Sequence, residues 1–147
     1  MMEIRFADKE NFGKVAKLSQ MFADENCCNG IVADSEDYYL DKIVAVAVDD
    51  GQIVGYAHGQ FEKASKNKSY VHKNDKIFYL EEMYVIPSKR NLHLGEKLFH
   101  FLESYAKKQG ALVIELNAVS KDYLKLLNFY MNKLNMSFLS AYLYKKI

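Results

Sequence analysis

The apolar positions of this chain change period several times, and each change marks an element. Ile4-Arg5-Phe6 is a short extended run. Phe12, Val15, Ala16, Ser19 and Phe22 then recur at spacings of three and four, which predicts an amphipathic helix. Residues 24–41 are polar and mixed, and predict a loop with a short second helix. Ile43 to Val48 is an unbroken apolar run, followed by Asp49-Asp50-Gly51 and the strand-like Gln52 to Ala57. Two such runs around Asp-Asp-Gly predict an antiparallel hairpin. From Lys63 to Lys76 the chain is polar, with five lysines and His72. This reads as a solvated hairpin loop. A phosphate or nucleic-acid patch is the sharper alternative, with Tyr70 as its one aromatic. Ile77 to Ile86 is the strongest strand, and Pro87 ends it. Leu94, Leu98, Phe101, Leu102 and Tyr105 share one helical face, and Gln109-Gly110 closes that helix. Ala111 to Leu116 predicts a further strand, 121–133 a helix, and Phe138 to Tyr144 a final strand. A hairpin half followed by β-α-β-α-β predicts an α/β sandwich whose sheet mixes antiparallel and parallel strands.

Composition narrows the function classes. The 147 residues contain no Pro/Gly/Ser-rich linker and no repeat, so one domain over residues 1–147 is expected. Half the residues are hydrophobic and 27% are charged, which excludes a disordered tail. Twenty Lys+Arg against nineteen Asp+Glu give a net charge of +1. That balance makes no general case for nucleic acid or an anionic membrane as partner. Met1 to Arg5 has no apolar signal core, and cytoplasmic residence is the expectation. Cys27 and Cys28 are adjacent, which leaves no disulfide framework and fits a reduced chain; a reactive thiol is the sharper reading. The histidines, at 58, 72, 93 and 100, are scattered, and no metal site is expected.

The chemistry concentrates between Met83 and Leu98. A strand runs through Pro87 into a short loop that opens directly onto an amphipathic helix. The first turn of such a helix offers N–H groups without internal partners, at the positive end of the helix dipole. That is a ready site for a pyrophosphate. Lys89 and Arg90 add charge there, and Gly95 lets a ligand approach the backbone. Neither the P-loop nor the dinucleotide fingerprint is present.

Val85-x-Pro87-x-x-Arg90-x-x-His93-x-Gly95-x-x-Leu98 resembles the acetyl-CoA signature of the GCN5-related N-acetyltransferases. Downstream, Phe129-Tyr130-Met131-Asn132-Lys133-Leu134-Asn135-Met136 resembles that family's Phe-Tyr-x-x-x-Leu-Gly-Phe element. Ile4 to Asp8 followed by a helix is similar to the family's start, so order and spacing agree over nearly the whole chain. The resemblance implies a mixed antiparallel/parallel central sheet flanked by helices, an α/β/α sandwich, with acetyl-CoA as cosubstrate. Met83, Tyr84 and Val85 would then meet the pantetheine arm. Arg90, Asn91, Leu92, His93, Leu94, Gly95 and Glu96 would grip the pyrophosphate. This sequence departs from the pattern at His93 and Asn91, where the family places glycines, at Asn135, and at Tyr123, where it places asparagine. A Cβ at position 93 crowds the phosphates if the backbone there needs a positive φ; a protonated His93 adds charge to the same anion.

Two catalytic residues follow from the resemblance. Tyr130 matches the tyrosine that stands near the cofactor sulfur and can protonate it; its bland reading is a core aromatic. The resemblance places the family's general base on the cleft-facing side of the long strand, at Tyr79 or Glu81, and Glu81 is the expected base, acting through a water. Strict alternation puts Tyr79, Glu81 and Met83 on one face and Leu80, Glu82 and Tyr84 on the other. A surface acid paired with lysine is the bland alternative for Glu81. The expected activity is acetyl transfer from acetyl-CoA directly to a primary amine of a small molecule or a protein. Glu81, Glu82, Asp24 and Glu25 favour a cationic acceptor. The alternative is a non-catalytic acyl-CoA-binding or protein-interaction module on the same fold. Edge strands and Tyr142-Leu143-Tyr144 leave a homodimer open.

Overall fold

The computed structural model describes residues 1–147 and contains five strands and three α-helices. They are β1 (Met2–Phe6), α1 (Phe12–Asp24), β2 (Ile43–Asp49), β3 (Gln52–Lys63), β4 (Lys76–Val85), α2 (Leu94–Lys108), β5 (Val113–Glu115) and α3 (Tyr123–Asn128). The sheet order is β1-β2-β3-β4-β5. The first four strands pair antiparallel, and β4 pairs with β5 in parallel. Residues 24–41 hold a 3-10 turn over Glu36–Asp41 in place of a second α-helix.

Both sheet faces are covered, which explains the unbroken apolar run of β2. Val44, Val46 and Val48 face α1 and pack with Val15, Leu18 and Tyr39. Ala45 and Ala47 face α2 and pack with Leu98, Phe99 and Leu102. The small alanines let α2 lie close, while the valines fill the wider gap under α1. The β2–β3 turn bears out the Asp-Asp-Gly signal: Asp50 and Gly51 have φ of 47° and 78°, the left-handed pair that a two-residue hairpin requires. The lysine-rich loop joins β3 to β4 over a small core of Ala64, Val71 and Ile77. Lys68 is paired there with Glu115 at 3.0 Å.

β3 runs six residues past its predicted end at Ala57, and this extension decides the site. His58 pairs with Glu82, but Gly59 pairs with Leu80, so Glu81 is an extra residue on β4. Such a bulge interrupts alternation. Phe78, Leu80, Met83 and Val85 all belong to the α2 core, whereas Tyr84 belongs to the α1 core. The expected shared face of Glu81 and Met83 is therefore not formed. Gly59 permits the bulge: a Cβ there would lie 2.2 Å from the Tyr79 carbonyl oxygen.

β5 is shorter than its predicted six residues and pairs only with Ile77, Phe78 and Tyr79. The bulge turns β4 away beyond that point. The predicted final strand is absent. Residues 134–147 form no helix or strand, and Tyr142, Leu143 and Tyr144 are exposed. A strand pattern fixes a strand only where a neighbouring strand and a core receive it, and a three-residue β5 offers little ladder.

Candidate active site

Beyond Tyr79 one edge of β4 has no strand beside it. The Ile86 N–H donates to the Val54 carbonyl of β3 at 3.0 Å. Alternation then directs the backbone groups of Met83 and Val85 to the opposite, open edge. The Val85 carbonyl there accepts a hydrogen bond from Arg90 Nε at 2.9 Å.

β4 passes through a 3-10 turn, Pro87–Lys89, into α2. Across the junction, the N–H groups of Asn91, Leu92, His93, Leu94, Gly95 and Glu96 donate to no backbone carbonyl. Asn91 and His93 have φ of 64° and 60°. The left-handed conformation that glycine adopts freely is thus held here by two residues with side chains. The His93 ring turns toward Glu96, with Nδ1 to Oε2 at 3.0 Å. Gly95 faces Phe129, whose ring would meet a Cβ at 3.4 Å. Arg90 is drawn back from the loop: its Nη2 donates to Glu25 Oε2 at 2.7 Å, and its guanidinium lies over the Tyr84 ring at 5.4 Å.

The bulge gathers a second constellation. Glu81 accepts hydrogen bonds from the Tyr38 hydroxyl and from Lys42 Nζ, the latter at 3.1 Å. Its Oε2 also lies 3.7 Å from His58 Nδ1. Burial pushes the Glu81 carboxyl up, but the Tyr38 and Lys42 hydrogen bonds and the nearby Lys42 charge outweigh it, leaving it below the usual range. Glu82 accepts from the Tyr56 hydroxyl. Burial raises its carboxyl to about 7, against the Tyr56 hydrogen bond and with help from Asp34 and Glu81. His58 is 1% exposed, and burial lowers it to about 4, so it is neutral at pH 7. Asp34 arrives from the loop before the 3-10 turn, and ligand-type atoms of Asp34, His58 and Glu82 all lie within 4.8 Å of one another.

Tyr130 sits in a π-helical turn, Phe129–Lys133, that continues α3 and packs on α2. It is 9% exposed, and burial raises its hydroxyl to about 12, with a further push from Cys28. Cys28 feels Glu82 as well, and burial raises its thiol to about 11. Asn135 takes φ 57°, the conformation given to glycine in the resembling element.

The structure therefore joins Glu81 to Glu82, expected from the sequence only to favour a cationic acceptor, and to five residues not expected there: Asp34, Tyr38, Lys42, Tyr56 and His58. Residues 91–96 leave six consecutive N–H groups without a backbone acceptor. Arg90, expected over that loop, is committed to Glu25. A groove of about 1360 Å³ runs between α2, β5 and residues 134–139; it includes neither the acid cluster nor residues 90–96.

Residues 6–136 match the model of the acetyltransferase (GNAT) family. The chain belongs to that family. Its fold is the GNAT fold, a mixed sheet with a parallel pair, flanked by helices. No curated protein sequence matches it. Among solved structures, a predicted acetyltransferase with acetyl-CoA from Clostridium acetobutylicum is 20% identical, with 99% of this chain and 96% of that one covered and a TM-score of 0.73. The BH1408 protein from Bacillus halodurans, as a tetramutant, is 19% identical over 99% of both chains, with a TM-score of 0.75. Glucosamine-6-phosphate N-acetyltransferase from Arabidopsis thaliana is 20% identical, covering 99% of this GNAT chain and 98% of its own, with a TM-score of 0.69. No helix here is long and apolar enough to cross a membrane.

Proposed function

We propose that residues 1–147 act as one N-acetyltransferase domain that moves an acetyl group from acetyl-CoA directly to a primary amine. The observation that carries this reading is the run of six unpaired N–H groups, Asn91 to Glu96, placed where the open edge of β4 meets the start of α2. Such a surface binds a pyrophosphate through backbone donors and the helix dipole. The open edge at Met83 and Val85 offers main-chain partners to an extended amide-bearing arm. The fit is incomplete at two points: Arg90 must leave Glu25 to reach the phosphates, and the His93 side chain shares the loop with them.

Acetyl-CoA supplies an activated thioester when bound. Glu82 takes the proton the amine must lose, since a carboxyl near 7 is matched to the working pH. Glu81, held as an anion by Tyr38 and Lys42, attracts and orients the cationic acceptor and relays the proton through water. A backbone N–H of Met83 or Val85 stabilises the charge that develops on the carbonyl oxygen. Tyr130 hydrogen-bonds the departing sulfur, and its raised pKa makes it a donor rather than an anion. No acyl-enzyme is needed.

A small-molecule amine acceptor agrees with two further structural neighbours, a soil-metagenome aminoglycoside acetyltransferase complexed with sisomicin and the aminoglycoside N-acetyltransferase AAC(6')-Iy with CoA. A reducing, cytoplasmic setting agrees with the free thiols of Cys27 and Cys28. The alternative reading, a module that binds acyl-CoA or a protein without transfer, is favoured by the retracted Arg90 and the side chain at His93. Calorimetric titration with acetyl-CoA and with CoA, followed by turnover on an amine panel, separates the two. Micromolar binding, about −8 kcal/mol, with turnover supports the enzyme. Binding without turnover supports the module, and absence of binding overturns both cofactor readings.

A further inference from the structure

Arg90 makes two hydrogen bonds that compete with a cofactor. Its Nε donates to the Val85 carbonyl at 2.9 Å, on the open edge of β4 that would serve an extended amide-bearing arm. Its Nη2 donates to Glu25 Oε2 at 2.7 Å, at the end of α1, and its guanidinium stays 5.4 Å from the centre of the Tyr84 ring. Moving Arg90 to the phosphates has a cost, and the cost falls on Glu25. That side chain is only 26% exposed, and Arg90 is its one hydrogen-bonded partner. A partly buried carboxylate that loses its donor forfeits a charge-assisted bond.

A replacement donor stands beside Glu25. Tyr84 is 4% exposed, and its hydroxyl is buried without any hydrogen-bond partner. Buried donors are seldom left in that condition. The ring itself is fixed: it stacks on Phe22 with centroids 4.8 Å apart and leans on Tyr56 at 6.2 Å. Two electrostatic effects put the hydroxyl near the carboxylate. Burial first, and then Glu25, push the Tyr84 hydroxyl up. Burial pushes the Glu25 carboxyl up, and Arg90 and the Tyr84 hydroxyl together outweigh it. Two donors thus face one carboxylate, and only Arg90 is bonded to it. Because the Tyr84 ring cannot turn away, a rotation of the Glu25 carboxyl is enough to change partners.

We infer that Tyr84 is a positioning residue for cofactor loading, its hydroxyl replacing Arg90 on Glu25 when the phosphates draw Arg90 away. This rests on the proposed acetyl-CoA site and adds a two-position latch to it. With Arg90 on Glu25 the latch is closed, and the Val85 carbonyl is engaged. With Tyr84 on Glu25 it is open, Arg90 and the Val85 carbonyl are free for the cofactor, and the end of α1 stays tied to β4. One hydrogen bond to the carboxylate is exchanged for another, so opening costs less than losing it. Cofactor affinity therefore depends on a hydroxyl that lies in the α1 layer of the core.

The test is calorimetric titration with CoA of the full chain, of Tyr84→Phe, of Glu25→Ala and of the double variant. It is paired with 13C NMR of the Tyr84 ζ-carbon, which reports phenol hydrogen bonding and is assigned by its loss in Tyr84→Phe. Tyr84→Phe should weaken CoA binding roughly tenfold, the worth of one charge-assisted hydrogen bond. Its melting temperature without CoA should be unchanged or raised, since the deleted hydroxyl had no partner; a merely structural tyrosine would lower it. In the Glu25→Ala background Tyr84→Phe should change nothing. The Tyr84 signal should shift on saturation with CoA and stay in place in Glu25→Ala. Equal affinity of the parent chain and Tyr84→Phe, the same loss in the Glu25→Ala background, or an unmoved signal overturns the exchange and leaves the cofactor site standing. Absence of CoA binding by the parent chain and by Glu25→Ala alike overturns the cofactor site, and the exchange with it.

Discussion

Glu81 and Glu82, neighbours in sequence, turn their carboxyls toward the same buried imidazole of His58. In a regular strand they would face opposite layers. The bulge opposite His58 and Gly59 brings them together, and environment then divides them. Glu81 is held ionised by Tyr38 and Lys42, whereas Glu82 is raised by burial. One small backbone irregularity thus makes an anion and a base from two identical residues.

Kinetics should show that division. Turnover should rise with pH through about 7 as Glu82 loses its proton. Glu82→Gln should lower kcat roughly 100-fold or more, the ordinary worth of a general base, and flatten that limb. Glu81→Gln should act mainly on KM for the amine and keep the limb. A pH–rate profile of each variant decides the assignment. An unchanged limb in Glu82→Gln returns the base to Glu81.

Stability should carry the same signature with opposed signs. The folded pKa of Glu82 lies above that of an unfolded glutamate, so folding binds a proton between about 4.5 and 7, and stability falls as pH rises through that window. The folded pKa of His58 lies below the ordinary histidine value of 6.5, so its stability is present above 6.5 and is lost as pH falls toward 4. The two slopes oppose each other over their shared range. Glu82→Gln should leave stability rising with pH there, and His58→Gln should leave it falling. Denaturant melts at pH 5, 6 and 7 read both slopes.

Gly59 should be irreplaceable for a steric reason. A Cβ 2.2 Å from the Tyr79 carbonyl must push β3 and β4 apart or erase the bulge. Gly59→Ala should cost about 2–3 kcal/mol, the range of overpacked backbone contacts. Urea unfolding measures it. Folded material that remains should bind CoA with an altered acid site.

Much of this was legible beforehand. The sequence pattern placed all five strands, with β3 cut short at Ala57, and added one at Phe138 to Tyr144 that does not form; β2 and β4 were plain because they bury both faces and read as continuous hydrophobic stretches. The Asp-Asp-Gly turn and the strand–loop–helix junction after Pro87 were readable because they rest on local backbone chemistry. The acid cluster was not. Its assembly depends on a one-residue register shift, and nothing in Leu80-Glu81-Glu82-Met83 announces it. The available signal was Gly59, since a glycine inside a strand marks a bulge or close approach. Asp34 and Tyr38 reach the site from an irregular segment whose path no periodicity encodes. The pattern at Phe138 to Tyr144 misled because alternation describes a surface that could be half-buried, not one that is.

The cofactor loop offers an independent check. His93 holds φ 60° without glycine's freedom. His93→Gly should relieve roughly 1 kcal/mol of left-handed strain, with CoA affinity retained or improved. Arg90→Ala should weaken acetyl-CoA binding about tenfold, whereas Glu25→Gln, which frees Arg90, should strengthen it. Calorimetry on the three variants suffices. If Arg90→Ala and Glu25→Gln leave affinity untouched, Arg90 only ties the loop to the end of α1.

Tyr130 separates packing from chemistry most cleanly. Its ring lies in the α2 core, 6.5 Å from Phe99, and Phe fills the same space. Tyr130→Phe should therefore leave the melting temperature and acetyl-CoA affinity nearly unchanged. If the hydroxyl assists the leaving sulfur, kcat should drop 10- to 100-fold, roughly 1.4–2.7 kcal/mol of barrier. The loss should shrink with an acyl donor whose leaving thiol is more acidic, because such a thiol needs less help. A drop that is independent of leaving-group pKa would place the defect in positioning, and undiminished turnover would make Tyr130 a core residue alone.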